Sequence, residues 1–454
     1  MNAIVDKLPT GLKIYWGSGA LGVAILMNAV AFLILAYFVG VLKIDPALAG
    51  TLVFVSKIID AISDPIVGII SDKSKFAMGR RRPFLFVGSF LSAIAFALLF
   101  TVPQFDSETT TAIYAFTCLV LYTLGYTIFN VPYMAMSAEM TDGYEERTAL
   151  HGWRVAFVSI GSSIAGAGAP LILQEYGSTQ TSYSIIAAVF AALIFASMMT
   201  CFFGTRSART VQQTTSVHNF YSQVGSLLAN RHFLTLISVK ALQLIGVMST
   251  VSVMLFYLQK YVGLDLRYLT AFGLLNTLVT FLAIPVLKQI AERIGKRNTY
   301  YLSATATLLY NLSWALVEPN PPMNEFLPGY FVRAVVSGFV IAGNVMLAMS
   351  MLTDTIEYDA RRTGLRREGI YASMYSFVEK ISGALGPFLV GWILALTGYD
   401  KTLPEEARQS DEALFGLVFG MAYLPAIMIG LSMLVLLFYR LDKKTLADTG
   451  PAPA

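Results

Sequence analysis

The chain has 454 residues, 56% of them hydrophobic and 13% charged, with a mean hydropathy of +0.64 and a formal net charge of +4. So few polar side chains cannot cover so much apolar surface in water, which excludes a soluble globular protein. The small basic excess also excludes nucleic acid as a partner, because its distribution follows membrane topology.

A membrane-spanning helix needs about 20 apolar residues. Segments that meet this lie near residues 28, 59, 94, 125, 163, 193, 247, 279, 308, 342, 384 and 427. The expected fold is an all-α integral membrane protein with twelve transmembrane helices. The first segment, residues 14–42, is too long for the apolar core of a signal peptide and reads as a permanent span. The second is interrupted by charge in SKIIDAISDPIVG (56–68) and is followed by the basic loop DKSKFAMGRRR (72–82). The fourth ends in NVPYMAMSAEMTD (130–142), and the fifth contains GSSIAGAGAP (161–170), whose small residues suit close helix packing. Cys118 and Cys201 fall inside helices, where a thiol acts as a small apolar side chain, so no disulfide framework is expected.

After the sixth segment the polar stretch GTRSARTVQQTTSVHNFYSQ (204–223) reads as a linker, and the chain then repeats itself. ERIGKRN (292–298) echoes the basic loop, and NVMLAMSMLTD (344–354) echoes the end of the fourth segment at a similar offset. Duplication predicts two pseudo-symmetric six-helix bundles, 1–203 and 231–440, joined by a cytoplasmic linker at 204–230 and followed by a tail at 441–454. Parallel halves with a site between them near the midplane are the arrangement of major facilitator transporters, and the 72–82 loop resembles the one between that superfamily's second and third helices. Basic residues concentrate in 72–82, 292–298 and RRTGLRRE (361–368), whereas PQFDSET (103–109) and EPNPPMNE (318–325) carry acids and no Lys or Arg. By the positive-inside rule both termini are cytoplasmic, in a cytoplasmic (inner) membrane.

Lys57, Asp60 and Asp64 stand at i, i+3 and i+7 and project from one helical face. Each charge costs about 2.5–3.5 kcal/mol at mid-bilayer, so their retention points to function. Ser63 sits beside that face, and Pro65 leaves the carbonyl of Ala61 without its intrahelical donor. Two carboxylates, a hydroxyl and a freed carbonyl are hard oxygen ligands for a small cation, and close carboxylates also favour a proton. The pattern predicts a coupling site for Na⁺ or H⁺. The competing reading is that Lys57 neutralises one aspartate and the group fixes helix packing.

Arg154, Lys240, Arg333, Glu379 and Lys380 are further charges within apolar segments. Lys380 is the first choice of partner for Asp60 or Asp64 across the halves, Glu379 has no evident partner, and Arg333 is placed to snorkel to an interface. Glu139, Asp142, Arg147, Asp354, Glu357 and Arg361 lie at cytoplasmic helix ends and are expected to form a gate of ion pairs. His151, His218 and His232 show no metal-ligand spacing, and no phosphate-binding glycine loop or nucleophile elbow is present, so an enzyme is not expected. A passive pore would have no use for two paired acids.

IIDAISDPIVG with GRRRPF, YTIFNVPYMAMSAEMTDGYEERTALHGWRVAF (126–157) and DTIEYDARRTGLRREGIYASMYSFVEKISGALG (354–386) together resemble the glycoside–pentoside–hexuronide:cation symporter family, over about residues 15 to 440. The resemblance implies that Asp60 and Asp64 bind the coupling cation, as metal ligands if it is Na⁺, with Ser63 beside them and Thr127 as a further ligand. It implies that Arg154 and Lys380 line the central cavity, and that Pro132 frees the carbonyl of Ile128. The family's melibiose-type carriers have an acid in helix one, whereas GSGALGVAILMNAVAFLILAYF has no charge; their helix-four acid is Asn130 here and a nearby tryptophan is Met134. Galactoside specificity is therefore not carried over. Asn130, Tyr133, Trp153, Arg154, Tyr371, Tyr375 and Lys380 are the candidate substrate residues. The expected function is cation-coupled symport of a small glycoside or sugar-like solute by alternating access, by a monomer in the lipid bilayer, with no cofactor beyond the coupling ion. The alternatives are a cation-coupled carrier of an amphiphile such as a lysolipid, suited by an uncharged helix one, and a uniporter or sensor with a vestigial cation site.

Overall fold

The structure is a computed structural model, which describes residues 7–103, 105–141, 144–208, 230–363, 368–403, 407–441 and Thr445. The chain forms two compact units, Met1–Thr215 and Ser216–Ala454. The first contains α1 (Thr10–Ala36), α2 (Pro46–Lys73), α3 (Arg82–Phe100), α4 (Glu108–Met140), α5 (Tyr144–Tyr176) and α6 (Gln180–Gly204). The second contains α7 (Arg231–Phe256), α8 (Leu266–Ile294), α9 (Lys296–Ser313), α10 (Met323–Thr363), α11 (Glu368–Leu396) and α12 (Asp411–Leu436), the last with a π turn at Phe419–Tyr423.

Ten helices of the described residues are long and apolar enough to cross a membrane. Of the segments expected to span, α2 and α9 are absent from these ten. The charges of Lys57, Asp60 and Asp64 break the apolar run of α2. α9 is only 18 residues long and opens with the polar run KRNT.

The repeat in the sequence has a local structural counterpart. α1 ends in a π turn at Tyr37–Val41, and α7 ends in one at Tyr257–Val262. An aspartate then caps the next helix in each unit, where a side-chain oxygen satisfies N–H groups that lack a helical partner. Asp45 Oδ1 accepts from the backbone N–H groups of Ala47 and Leu48 at 2.9 and 3.1 Å, and Asp265 Oδ1 accepts from that of Arg267 at 3.0 Å. Pro46 at the first position of α2 has no N–H to satisfy and a φ already suited to a helix.

Small residues set how closely the helices of the first unit approach. A Cβ on Gly88 of α3 would lie 2.6 Å from the backbone nitrogen of Phe129, and one on Gly125 of α4 would lie 2.7 Å from that of Ser92. Only hydrogen fits at either place, so α3 and α4 touch backbone to backbone, as small-residue membrane interfaces do. In the 161–170 segment the close contact is made by Gly161, where a Cβ would stand 2.6 Å from the Leu21 carbonyl, while Gly166 faces open space. Trp16 is fully buried against α4, stacked on Tyr133 at 4.8 Å and donating its indole N–H to the Tyr133 carbonyl at 3.3 Å. Cys118 and Cys201 are buried free thiols.

Candidate functional site

α2 and α4 pack side by side, and the closeness of α4 to α3 fixes which face of α4 meets the acids of α2. The Thr127 hydroxyl lies 3.0 Å from Asp60 Oδ1 and 2.9 Å from Asp64 Oδ1. Ser63 Oγ lies 3.3 Å from the same hydroxyl and 3.1 Å from the Asp60 backbone carbonyl. Asp60, Ser63 and Thr127 are buried, and Asp64 is half-buried. Asp60, Ser63, Asp64 and Thr127 are thus brought together around one hydroxyl oxygen.

The two hydroxyls have fewer hydrogens than contacts. Each hydroxyl has one hydrogen to donate. The hydroxyls of Ser63 and Thr127 share four oxygen contacts, so at most two of these are hydrogen bonds at one time. If both carboxylates are ionised, one of them faces a lone pair of Thr127 at hydrogen-bond distance.

Lys57 does not pair with these acids within the described contacts. Its Nζ lies over the ring of Tyr122, 5.3 Å from the centroid, where the negative face of the ring attracts the ammonium. Among the described contacts Lys57 is thus held by a ring of α4 and not by either aspartate.

The expected substrate residues are differently placed. Asn130 donates its amide to the Tyr126 hydroxyl at 3.0 Å. Its Oδ1 and the Nε of Arg154 are enclosed with no hydrogen-bond partner among the described residues. Trp153 is exposed on α5. Tyr133 is fully buried in the stack with Trp16 and Phe129. In the second unit Tyr371 is fully buried and its hydroxyl accepts from Asn230 Nδ2 at 2.9 Å, and Tyr375 is buried. Lys380 is half-buried on α11. Asn28 was not singled out from sequence; it is an exposed amide on α1 that donates to the Ala24 carbonyl at 2.8 Å and to Ser162 Oγ of α5 at 3.2 Å.

Two charges without an assigned sequence partner acquire one. Glu379 lies 3.4 Å from the ammonium of Lys240, which also approaches the Tyr375 ring at 5.8 Å. Arg333 donates to the hydroxyl and carbonyl of Ser313 at 3.0 and 2.7 Å and stacks over Trp314, so a helix end and an indole hold it.

The expected gate residues form ion pairs inside their own units. Arg80 and Arg81 both reach Oε1 of Glu139, the latter at 2.9 Å, and Arg81 also pairs with Asp72. Asp354 pairs with Lys296 at 2.6 Å, and Glu357 with Arg361 at 2.8 Å. Asp142 and the side chain of Arg147 lie outside the described residues. Their neighbour Glu146 pairs with Lys13 of α1 at 2.7 Å, and that hydrogen bond holds its carboxyl below the usual carboxylate range.

Helices of membrane length with a buried charge cluster define a multi-pass membrane protein. The chain belongs to the MFS/sugar transport protein family, which matches residues 15–443, and is therefore a transporter and not an enzyme. It is 29% identical over 413 residues to a putative glycoside/cation symporter of Escherichia coli (strain K12), YagG, covering 89% of this chain and 88% of that one. It is 28% identical over 434 residues to an isoprimeverose transporter of Lactiplantibacillus pentosus, covering 93% and 87%. Among solved structures, a bacterial homologue of the human drug peptide transporters shares the fold with a TM-score of 0.65 at 13% identity, covering 97% of this chain and 98% of that one.

Proposed function

We propose that this protein is a cation-coupled symporter that moves a glycoside or sugar-like solute across the inner membrane by alternating access. α2 and α9 complete twelve spans, arranged as two bundles with both termini in the cytoplasm. The observation that carries the reading is the Thr127 hydroxyl between Asp60 and Asp64. A proton or a small cation held there neutralises two acids that share one hydroxyl. Asp60, Ser63, Asp64 and Thr127 are the ligands, with the Ala61 carbonyl, which Pro65 leaves without its helical donor, as a further oxygen.

Ion binding then favours solute binding, because a cavity with neutralised acids is paired more easily with an uncharged sugar. Asn130, Trp153 and Arg154 are the solute contacts offered by the first unit, and Tyr375 and Lys380 those offered by the second. The names of the E. coli and L. pentosus relatives support a glycoside as the solute class.

The test is a thermal-stabilisation screen of the purified protein with sugars and lysolipids, each with and without Na⁺, followed by uptake into proteoliposomes under Na⁺ or H⁺ gradients. A sugar that stabilises more strongly with the cation and accumulates only with its gradient is the expected result. Stabilisation by lysolipids alone, or uptake that ignores both gradients, rejects the reading.

A further inference from the structure

A second polar site lies in the first unit, at the arginine-rich end of α3 and α6, away from the acids of α2. A cavity of about 320 Å³ is lined there by Arg80, Arg81, Arg82 and Arg206, with Glu139 as its one acid. Arg80 and Arg81 are taken up by Glu139 and Asp72. Arg82 and Arg206 line the same cavity and have no carboxylate partner among the described residues. Arg82 spends one of its five N–H donors on the Phe202 carbonyl at 3.1 Å, lies over the Phe202 ring at 4.7 Å, and has its Nε enclosed with no acceptor. Two guanidinium groups at one cavity, its single acid already engaged by Arg80 and Arg81, leave donors for an added anion.

The seam beneath them is apolar and aromatic. Arg82, Phe86 and Phe90 stand at i, i+4 and i+8 on one face of α3. Phe86 stacks near Phe202 at 5.3 Å and Phe90 near Phe195 at 4.8 Å, so rings of α3 and α6 alternate along the seam. Phe86, Phe90 and Phe203 are 37%, 40% and 64% exposed. From Arg82 to Phe90 the helix rises about 12 Å, the length of the upper part of an acyl chain.

The geometry points to a binding site for one anionic phospholipid, its phosphate held by Arg82 and Arg206 and its acyl chain laid along Phe86, Phe90 and Phe203. A planar guanidinium takes two phosphate oxygens in a fork, and basic pockets between helix ends are suited to anionic headgroups. The negative charge also relieves the repulsion between the two arginines, so lipid binding stabilises the junction of α3 with the end of α6.

The test uses the full-length protein, washed free of lipid in detergent, with thermal unfolding followed against phosphatidylglycerol, phosphatidylcholine or inorganic phosphate. Phosphatidylglycerol is expected to raise the unfolding temperature saturably, with phosphatidylcholine and phosphate much weaker. R206Q and R82Q should each need about tenfold more phosphatidylglycerol for half the effect, the loss of one charge-assisted contact. Arg293 is an exposed arginine of α8 in the other unit, and R293Q should titrate as the parent does. R206Q decides the matter if R82Q does not fold, since the Arg206 side chain is exposed. The proposal is overturned by an unchanged titration of R206Q, by an equal loss in R293Q, by equal stabilisation from phosphatidylcholine, by phosphate reproducing the full effect, or by no stabilisation at all.

Discussion

The second helix of one unit and the second helix of the other share a frame and differ in chemistry. α2 and α8 each follow a π turn, each start from an aspartate cap, and carry Pro65 and Pro285 at the same distance from that cap. In this register Asp60 corresponds to Thr280 and Asp64 to Ile284. Thr280 donates to the Asn276 carbonyl of its own helix at 2.8 Å and lies 3.2 Å from the Gly338 carbonyl of α10, while Asn276 donates to Ser337. That seam meets its polar needs from its own neutral groups. The seam of α2 with α4 instead sets two carboxylates against one shared hydroxyl. The same frame therefore occurs twice, and only the first copy carries carboxylates at these positions.

The largest expected effect breaks this difference directly. Asp60→Asn and Asp64→Asn should each hold internal solute at the outside concentration under a cation gradient, with the protein still inserted, whereas Thr280→Val should accumulate as the parent does. Uptake into proteoliposomes containing equal protein checks all three, and a parental accumulation ratio in both aspartate variants removes the coupling role. Next in size is Glu139→Gln. Glu139 and Arg81 are 7% and 9% exposed as side chains, and removing the acid leaves two guanidinium groups facing each other. Breaking a buried pair on one side costs about 3–5 kcal/mol, so the unfolding temperature in detergent should fall sharply.

Most of the frame was legible in the sequence because apolar length and charge placement follow from the bilayer itself. The exceptions are informative. α2 is not apolar enough to stand as a span by composition, since Lys57, Asp60 and Asp64 lower its hydropathy. The meeting of Asp60 with Asp64 was legible, because i and i+4 share a helix face whatever the tertiary fold. Thr127 came only from family resemblance: no periodicity on α4 says which of its hydroxyls faces α2. Lys57 over Tyr122 and Glu379 beside Lys240 were not legible, since each joins different helices through side-chain packing. Tyr133 looked available because it is a tyrosine near a candidate site, but its ring is fully buried against Trp16.

The glycines of the two fourth helices sharpen the comparison at intermediate size. Gly125 meets the Ser92 backbone, and Gly338 meets the Asn276 carbonyl, where a Cβ would come within 2.6 Å. Gly125→Ala and Gly338→Ala should each cost about 1–3 kcal/mol by overpacking, read as a lower unfolding temperature. If only Gly125→Ala did so, the second seam would be looser than its hydrogen bonds suggest. Thr127→Ala should then separate chemistry from packing: it removes the shared hydroxyl, and about a tenfold weaker apparent affinity for the coupling cation is expected. Thr127→Ser should restore the parental value in the same uptake titration; a cation response in Thr127→Ala identical to the parent's would show that the hydroxyl is a bystander.

The smallest effect is expected at a more exposed acid of the other fourth helix. Asp354 of α10 pairs with Lys296 just as Glu139 of α4 pairs with the arginines after α2, but here the side chains are 28% and 38% exposed. Water already stabilises both charges when they part, and holding a lysine side chain in place costs conformational freedom. Asp354→Asn should therefore cost at most about 1 kcal/mol, and less as salt screens the pair. Thermal unfolding of Asp354→Asn and Glu139→Gln, each at low and high salt, checks the contrast. An equal loss in both variants would mean that Asp354 is engaged more deeply than its exposure shows, and that the two ends carry the same load despite their different burial.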